Sequence, residues 1–246
     1  MEPATPPAPC ENCQKPANLC VCAEIPLGGF PASRQVVVLQ HPQEPDKELG
    51  TAKLAHLALP GSMLKIGLSW PNLKTVLGRE AQGSCWAVLY LGSGLKEPIL
   101  PPASGKSLVV LIDKKGVPLP DQATHLAAIE GIIVIDGTWT QAKALWWRNA
   151  WLLKLRRAIL IPGRESLYRE LRREPRRECV STIESISMTL EALGEPVETT
   201  EGLLKLFSKL LDNFRTHRPG RSGGEGGSTV PRGGRGGRFR RPGRRR

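Results

Sequence analysis

Asp136 opens the motif whose residue types are best suited to chemistry. It ends the apolar segment Gly131–Asp136 and is followed by Gly137, Thr138 and Trp139. A carboxylate at the end of a buried strand can bind a cation or move a proton, and a threonine there can cap the next helix. The alternative is structural: Asp136 only ends the strand and Thr138 only caps the helix. Spacing alone slightly favours that alternative.

Two further motifs place polar residues next to predicted elements. Ser181, Thr182 and Glu184 have the pattern of a helix start, with a capping hydroxyl and an acid in the first turn. Taken alone, this pattern is more often structural than functional. His41 and Glu44 follow the first strand in a His-Pro-x-Glu motif. A single histidine in a loop indicates nothing by itself.

Four cysteines lie within thirteen residues, at Cys10, Cys13, Cys20 and Cys22. Four thiolates can complete a tetrahedral zinc site, and paired-cysteine spacing is a fairly specific signal for one. The alternative is a group of reduced surface thiols. No histidine lies nearby, so we expect a structural zinc that fixes a segment too short to fold alone.

Basic and aromatic residues alternate in the second half of the chain. Trp146, Trp147 and Trp151 alternate with lysines and arginines, and 164–177 adds six arginines and three glutamates around Tyr168. Such a mixture is typical of surfaces that bind phosphates and stack on unpaired bases. At least two of the tryptophans are expected to be core residues instead. The excess of arginine favours an RNA surface, although a solvated face of paired charges is the alternative.

Composition narrows the class of protein. The chain has 246 residues and a net charge of +12, and ten arginines with one glutamate place +9 of it in 216–246. Such a charge favours a polyanionic partner, nucleic acid before membrane. No apolar run reaches the roughly 18 residues of a membrane span, and the N-terminus lacks secretory features. We therefore expect an intracellular, cytoplasmic protein that is not embedded in a membrane.

The elements that position these motifs alternate between strand and helix. Strands are predicted at 35–40, 63–68, 86–91, 108–113, 131–136 and 158–161, and helices at 48–59, 138–153, 181–193 and 201–214. Alternation of this kind favours an α/β domain with a mostly parallel sheet and flanking helices. Four segments are expected: a disordered leader (1–9), a four-cysteine zinc module (10–29), a catalytic domain (30–215) and a disordered Arg/Gly-rich tail (216–246).

The order of these motifs resembles the DTW-domain family. Cys-x2-Cys and Cys-x-Cys come first, then His-Pro-x-Glu after a strand, Asp-Gly-Thr-Trp, and finally Ser-Thr-x-Glu, within roughly residues 10–195. The resemblance implies a SPOUT-like fold with a C-terminal trefoil knot. It also implies transfer of the 3-amino-3-carboxypropyl group of S-adenosylmethionine to N3 of a tRNA uridine, with methylthioadenosine as by-product. The segment 101–130 looks longer than is usual in the family, and Ser185 stands where a small apolar residue is common.

The implied chemistry suggests a role for each motif residue. Asp136 would be the general base, Thr138, Ser181 and Thr182 would hold the carboxylate of S-adenosylmethionine, and Glu184 would hold its amine. Gly137 would belong to the same cofactor site, and Trp139 would wall the pocket or stack on a base. The turn Leu91, Gly92, Ser93 would approach the adenosine. Contacts to tRNA are assigned to His41, Arg164, Tyr168, Arg169, Arg172, Arg173 and Arg176.

Two other functions remain open at the level of sequence. One is a SPOUT-type RNA methyltransferase with the same cofactor, which would release S-adenosylhomocysteine. The other is a non-enzymatic protein that binds RNA through a zinc module and an Arg/Gly tail. Simple RNA binding gives no reason for an acid at the end of a strand, and the Asp-Gly-Thr-Trp motif therefore disfavours it.

Overall fold

A computed structural model describes residues 8–45, 47–89, 99–100, 104–170 and 180–217. Six strands and six α-helices are found in this part of the chain. In chain order they are β1 (Gln35–Gln40), α1 (Ala52–Ala58), β2 (Met63–Ile66), α2 (Leu73–Leu77), β3 (Trp86–Leu89), β4 (Leu108–Ile112), α3 (Gln122–Ala127), β5 (Gly131–Asp136), α4 (Trp139–Arg148), β6 (Arg156–Ile161), α5 (Thr182–Ala192) and α6 (Val197–His217).

The six strands form one sheet in the order β2-β1-β5-β3-β6-β4. All neighbours are parallel except β4, which runs antiparallel to β6 at one edge. The mostly parallel α/β sheet predicted from the sequence is therefore confirmed. β1 and β5 pair in register from Gln35↔Gly131 to Gln40↔Asp136. Because both strands end at the same level, the residues that follow them meet at one edge of the sheet.

Helices cover both faces of the sheet, as strands that are apolar on both faces require. Along β1, Val36 and Val38 face a core that includes side chains of α1, α5 and α6. Val37 and Leu39 face a second core, which includes Val76 of α2 and Leu145 of α4. The sheet is thus the middle of three layers.

Most element boundaries follow the sequence-based expectation, and the exceptions have local causes. α2 and α3 were not predicted, because five or six residues are too few for a clear helical periodicity. α4 ends at Arg148 instead of continuing to 153, because the buried Asn149 turns its amide to the backbone of Leu145 and Leu68. α6 extends to His217 and includes the first two residues of the predicted tail.

The cysteine segment packs on the main domain. Leu19 and Val21 are buried in the same core as Phe30 and Phe207. The buried ammonium of Lys15 donates to the carbonyl oxygens of Glu48 and Gly50, at 2.6 and 2.8 Å. The module predicted at 10–29 therefore shares its apolar contacts with the rest of the chain.

No helix of the described residues is both long and apolar enough to cross a membrane. The predicted knot and the SPOUT relationship stay predictions.

Candidate functional site

Asp136 joins three elements at the carboxyl edge of the sheet. Its Oδ2 accepts a 2.8 Å hydrogen bond from Nε2 of Gln40, the last residue of β1. Its Oδ1 accepts a short hydrogen bond from the hydroxyl of Thr182, the first residue of α5. A carboxylate offers about four acceptor positions. Two positions therefore remain for a ligand or a proton.

The pKa of Asp136 is raised above its ordinary value. Burial is the main cause, because it disfavours the charged form, and the hydrogen bonds from Thr182 and Gln40 act in the opposite direction. The negative charge of Glu44 raises this pKa further, and the positive charge of Lys47 lowers it. Glu44 and Lys47 are themselves an ion pair, 2.6 Å apart. A carboxylate with a raised proton affinity beside a charged pair is suited to act as a general base.

The loop after β1 and the start of α4 are connected around Asp136. The N–H of His41 donates to the carbonyl oxygen of Asp136, at 3.0 Å. Thr138 caps α4 in a capping box with Gln141, whose side-chain amide also donates to Oε1 of Gln43 at 3.1 Å. At Gly137 a Cβ would lie 3.0 Å from the Cβ of Gln141, so glycine permits this close approach. The His-Pro-x-Glu and Asp-Gly-Thr-Trp motifs thus meet at one place.

Glu184 stabilises the start of α5 and the segment before it. Its Oε2 accepts from the backbone N–H of Ser181 and the hydroxyl of Ser166, at 2.7 and 2.9 Å. Its Oε1 accepts from the N–H of Leu167 at 2.7 Å, and the residue is fully buried. The structure therefore gives Glu184 a positioning role through its own chain. Binding of a ligand amine by Glu184 stays a prediction.

Two residues assigned to RNA have internal partners. Tyr168 is buried, its hydroxyl donates to the carbonyl of Leu49 at 2.5 Å, and its ring packs edge-on against Phe207. Arg164 is exposed and pairs with Glu191 at 3.1 Å. These contacts give Tyr168 a core role, because a buried ring offers no face to a base, whereas Arg164 stays accessible.

Several predicted site residues lie outside what the structure describes. They are Leu91, Gly92, Ser93, Arg172, Arg173, Arg176 and the side chain of Arg169.

The tryptophans divide into two groups. Trp146 and Trp151 are buried, in agreement with the expectation that at least two of them are core residues. Trp139 and Trp147 are exposed on α4, by 42% and 77% respectively.

The four clustered cysteines form a candidate metal centre. The Sγ atoms of Cys10, Cys13, Cys20 and Cys22 all lie within 4.8 Å of one another. Cys10–Cys22 and Cys13–Cys20 have Sγ–Sγ distances of 3.9 and 3.8 Å. Four thiolates around a tetrahedral zinc, at Zn–S distances of about 2.3 Å, would lie about 3.8 Å apart. The arrangement fits zinc.

One cavity in the described part of the chain is not lined by Asp136. It has a volume of about 240 Å³ and lies between α6 and the residues around Arg164. Its lining comprises Arg164, Glu165, Leu167, Glu184, Leu204, Lys205 and Ser208. Its potential nucleophiles, Lys205 and Ser208, belong to none of the sequence motifs, so Asp136 stays the candidate for the chemistry.

Sequence reasoning missed Gln40, Lys47 and Lys15. Gln40 had no distinguishing signal, because β1 has a glutamine at each end and its pairing with the strand that ends in Asp136 is known only from the structure. The other two had none, because their importance depends on contacts with Glu44 and with the backbone at 48–50.

Comparisons with known proteins identify relatives along most of the chain. The profile of the DTW domain matches residues 8–215. A Drosophila melanogaster protein named tRNA-uridine aminocarboxypropyltransferase 2 is 30% identical over 210 residues, which cover 83% of this chain and 75% of that protein. A Macaca fascicularis protein of the same name is 27% identical, over 85% of this chain and 64% of that one. Arabidopsis thaliana tRNA-uridine aminocarboxypropyltransferase A is 25% identical, over 84% and 79%. No solved structure matches significantly.

Proposed function

The chain belongs to the DTW-domain family, and we therefore propose that it is a tRNA-uridine aminocarboxypropyltransferase. In the proposed reaction the 3-amino-3-carboxypropyl group of S-adenosylmethionine moves to N3 of a uridine in tRNA. The similar proteins from fly, macaque and Arabidopsis carry this enzyme name. A SPOUT-related fold with a trefoil knot and a cytoplasmic location, both expected from the sequence, belong to the same proposal.

The observation that carries the proposal is the position of Asp136. It is a partly accessible carboxylate at the carboxyl edge of a parallel sheet, and it contacts both β1 and the start of α5. Ligands of open α/β sheets bind at this edge. Three of the family motifs therefore meet where a substrate is expected.

Asp136 would act as general base on the uridine. It would accept the proton of N3–H, and the N3 electron pair would form a bond to the methylene carbon next to the sulfonium sulfur. The C–S bond would break, and its electron pair would stay on sulfur in neutral methylthioadenosine. The protonated Asp136 would then lose its proton to solvent. Choice of this methylene over the methyl group depends on orientation, because N3 must be in line with the correct C–S bond.

The helix starts around Asp136 would hold the cosubstrate. Thr138 and Ser181 cap α4 and α5, and free N–H groups in a first helical turn can bind a carboxylate. Thr182 would hold Asp136 in place through its hydroxyl. Trp139 would wall the pocket.

Structural zinc completes the proposal. Cys10, Cys13, Cys20 and Cys22 would bind it, and it would fix the segment that carries Lys15. It supplies no chemistry at Asp136.

The product identifies the reaction. The purified protein, incubated with S-adenosylmethionine and tRNA that lacks the modification, should release methylthioadenosine and add a 3-amino-3-carboxypropyl group to uridine. S-adenosylhomocysteine with a methylated nucleoside would instead identify a methyltransferase. If no nucleoside changed, the protein would instead be one that binds RNA without modifying it.

Asp136→Asn tests the general base. Its single-turnover rate should fall by roughly 10²–10⁴-fold, the range for a positioned acid–base group. A higher pH should restore part of it, since hydroxide can then deprotonate N3. The melting temperature should not fall, because the substitution removes a half-buried charge and Gln40 can turn its amide to accept a hydrogen bond.

Two outcomes would change the assignment. Near-normal turnover of the folded variant would exclude Asp136 as base. A normal structure without affinity for S-adenosylmethionine would make Asp136 a ligand-binding residue.

A further inference from the structure

The exposed side of α4 carries two tryptophans and a lysine at helical spacing. Trp139, Lys143 and Trp147 are four residues apart and therefore lie along one side of the helix. All three are exposed, and Trp147 is 77% accessible to solvent. Ala142, Leu145 and Trp146 bury the other side against the sheet. We call Trp139, Lys143 and Trp147 the α4 stripe.

Folding alone gives no reason for an indole at position 147. Trp146, next to it, and Trp151 already fill the core under α4. A single exposed apolar residue is common, but two exposed indoles on one side of the same helix are a typical sign of a binding surface.

The charge around the stripe identifies the kind of partner. α4 carries Lys143 and Arg148 and no acidic residue. The chain that follows adds Lys154, Arg156 and Arg157, again with no acid before β6 ends. This concentration of positive charge complements a polyanion. Exposed indoles beside cations are the means by which proteins bind unpaired nucleotides, through stacking and phosphate contacts.

The stripe starts at the candidate active site. Trp139 follows Thr138, which caps α4, and lies three residues after Asp136. Trp147 is eight residues further, about 12 Å along the helix axis. The segment 67–70 connects the two ends: Gly67 donates to the carbonyl of Gln40, and Trp70 donates to Asn149 just beyond α4. A strand of nucleic acid on the stripe would therefore lead to Asp136.

From these observations we propose that the α4 stripe binds unpaired nucleotides of tRNA next to the target uridine, with a base stacked on Trp147 and a phosphate on Lys143. This inference rests on the proposed function for the identity of the RNA. Its physical content, a stacking surface for unpaired nucleotides, is tested separately from the reaction.

The test measures equilibrium binding of tRNA to full-length variants at several salt concentrations, without S-adenosylmethionine. Trp147→Ala should weaken binding roughly 5- to 150-fold, as expected for loss of one stacked base. Trp147→Phe should keep most of the affinity, and Trp147→Leu should lose it, because stacking needs an aromatic face. Lys143→Gln should reduce the salt slope by roughly 0.7–0.9, the loss of one phosphate contact, whereas the Trp147 variants should leave the slope unchanged.

Two controls separate the stripe from other surfaces. Val197→Ala and Lys209→Gln change an exposed apolar residue and an exposed lysine of α6, and both should bind tRNA like the wild type. A single-stranded oligonucleotide should reproduce the Trp147 effect, and a duplex of the same length should not.

Unchanged affinity in Trp147→Ala, or equal affinity in Trp147→Leu and the wild type, would overturn the inference and leave a protein partner as the occupant of the stripe. An equal effect on duplex RNA would overturn the stacking. A different result would contradict the proposed function alone. In that case no modified uridine would form, although Trp147 would still determine the affinity for single strands.

Discussion

At the scale of single residues, two neighbouring charges influence the pKa of Asp136. Glu44 and Lys47 shift its pKa in opposite directions, although they neutralise each other as an ion pair. Asp136 as base must be ionised, so the rate should rise with pH through its pKa.

Neutral replacements of the pair should move this pH dependence in opposite directions. Glu44→Gln removes a negative charge, so the pKa of Asp136 falls and the acid limb of the single-turnover rate moves to lower pH. Lys47→Met removes a positive charge and moves the limb to higher pH. Rate measurements across the pH range provide the check. Glu80→Gln and Lys74→Met change an exposed ion pair with the same 2.6 Å distance and should leave the pH dependence of the rate unchanged. Equal shifts of the acid limb from both ion pairs would contradict a local effect on Asp136.

Glu184 is the residue for which sequence and structure suggest different roles. Glu184→Ala leaves up to three donors without their acceptor, at a cost of about 1–3 kcal/mol each when the donor stays buried. Denaturant unfolding of the variant should therefore show a large loss of stability. Affinity for S-adenosylmethionine, measured where the variant is folded, should change little.

Glu191→Gln is the matched control for that experiment. It lies on the same helix, and its partly exposed pair with Arg164 should contribute no more than about 1 kcal/mol. Normal stability combined with lost cosubstrate affinity in Glu184→Ala would return Glu184 to the ligand site.

At the scale of elements, the cysteine module and the site share the segment 44–51. Lys15 donates to the carbonyls of Glu48 and Gly50, and Tyr168 donates to that of Leu49 between them. The same segment contains Glu44, which acts on Asp136. The module therefore positions part of the candidate site.

Lys15→Met should separate this positioning from metal binding. Metal analysis should still find about one zinc per chain, because the four cysteines are intact, whereas Cys13→Ser should lose it. Hydrogen exchange at 47–51 should become faster in Lys15→Met, because both Nζ contacts are lost, and the turnover rate should fall with it. Unchanged exchange in a zinc-loaded variant would show that Lys15 does not hold the segment.

At the scale of the whole molecule, charge is divided between the folded part and the C-terminal tail. Residues 218–246 hold ten arginines and one glutamate. Arginine contacts to phosphates release counterions, so they raise affinity without selecting a sequence. Most of the affinity for RNA in general should therefore come from the tail.

Truncation after His217 should weaken tRNA binding and make its salt dependence less steep, while the turnover rate at saturating tRNA stays the same. A full-length variant with lysine in place of the tail arginines should keep the salt dependence of the wild type, because its charge is unchanged. Binding titrations and single-turnover rates provide both quantities. Loss of turnover at saturation would assign the tail a role in the reaction.

The strands, the α/β class and the candidate zinc ligands were predictable from the amino-acid sequence. All six strands were predicted, because short apolar runs rich in β-branched residues and bounded by turn residues are typical of strands in a sheet covered on both faces. The motif order also led to the family that the comparison with known proteins confirms.

Which motif residues act together depends on contacts between distant parts of the chain. The contacts of Asp136 with Gln40 and Thr182 join positions 96 and 46 residues apart. No local pattern predicts them, since the first depends on the strand order that places β1 beside β5 and the second on the packing of α5 against β5. Burial separated residues that carried the same sequence signal. Tyr168 and Trp147 both belong to the mixture of basic and aromatic residues that predicts an RNA surface. Packing against α6 buries Tyr168, whereas Trp147 is exposed on α4.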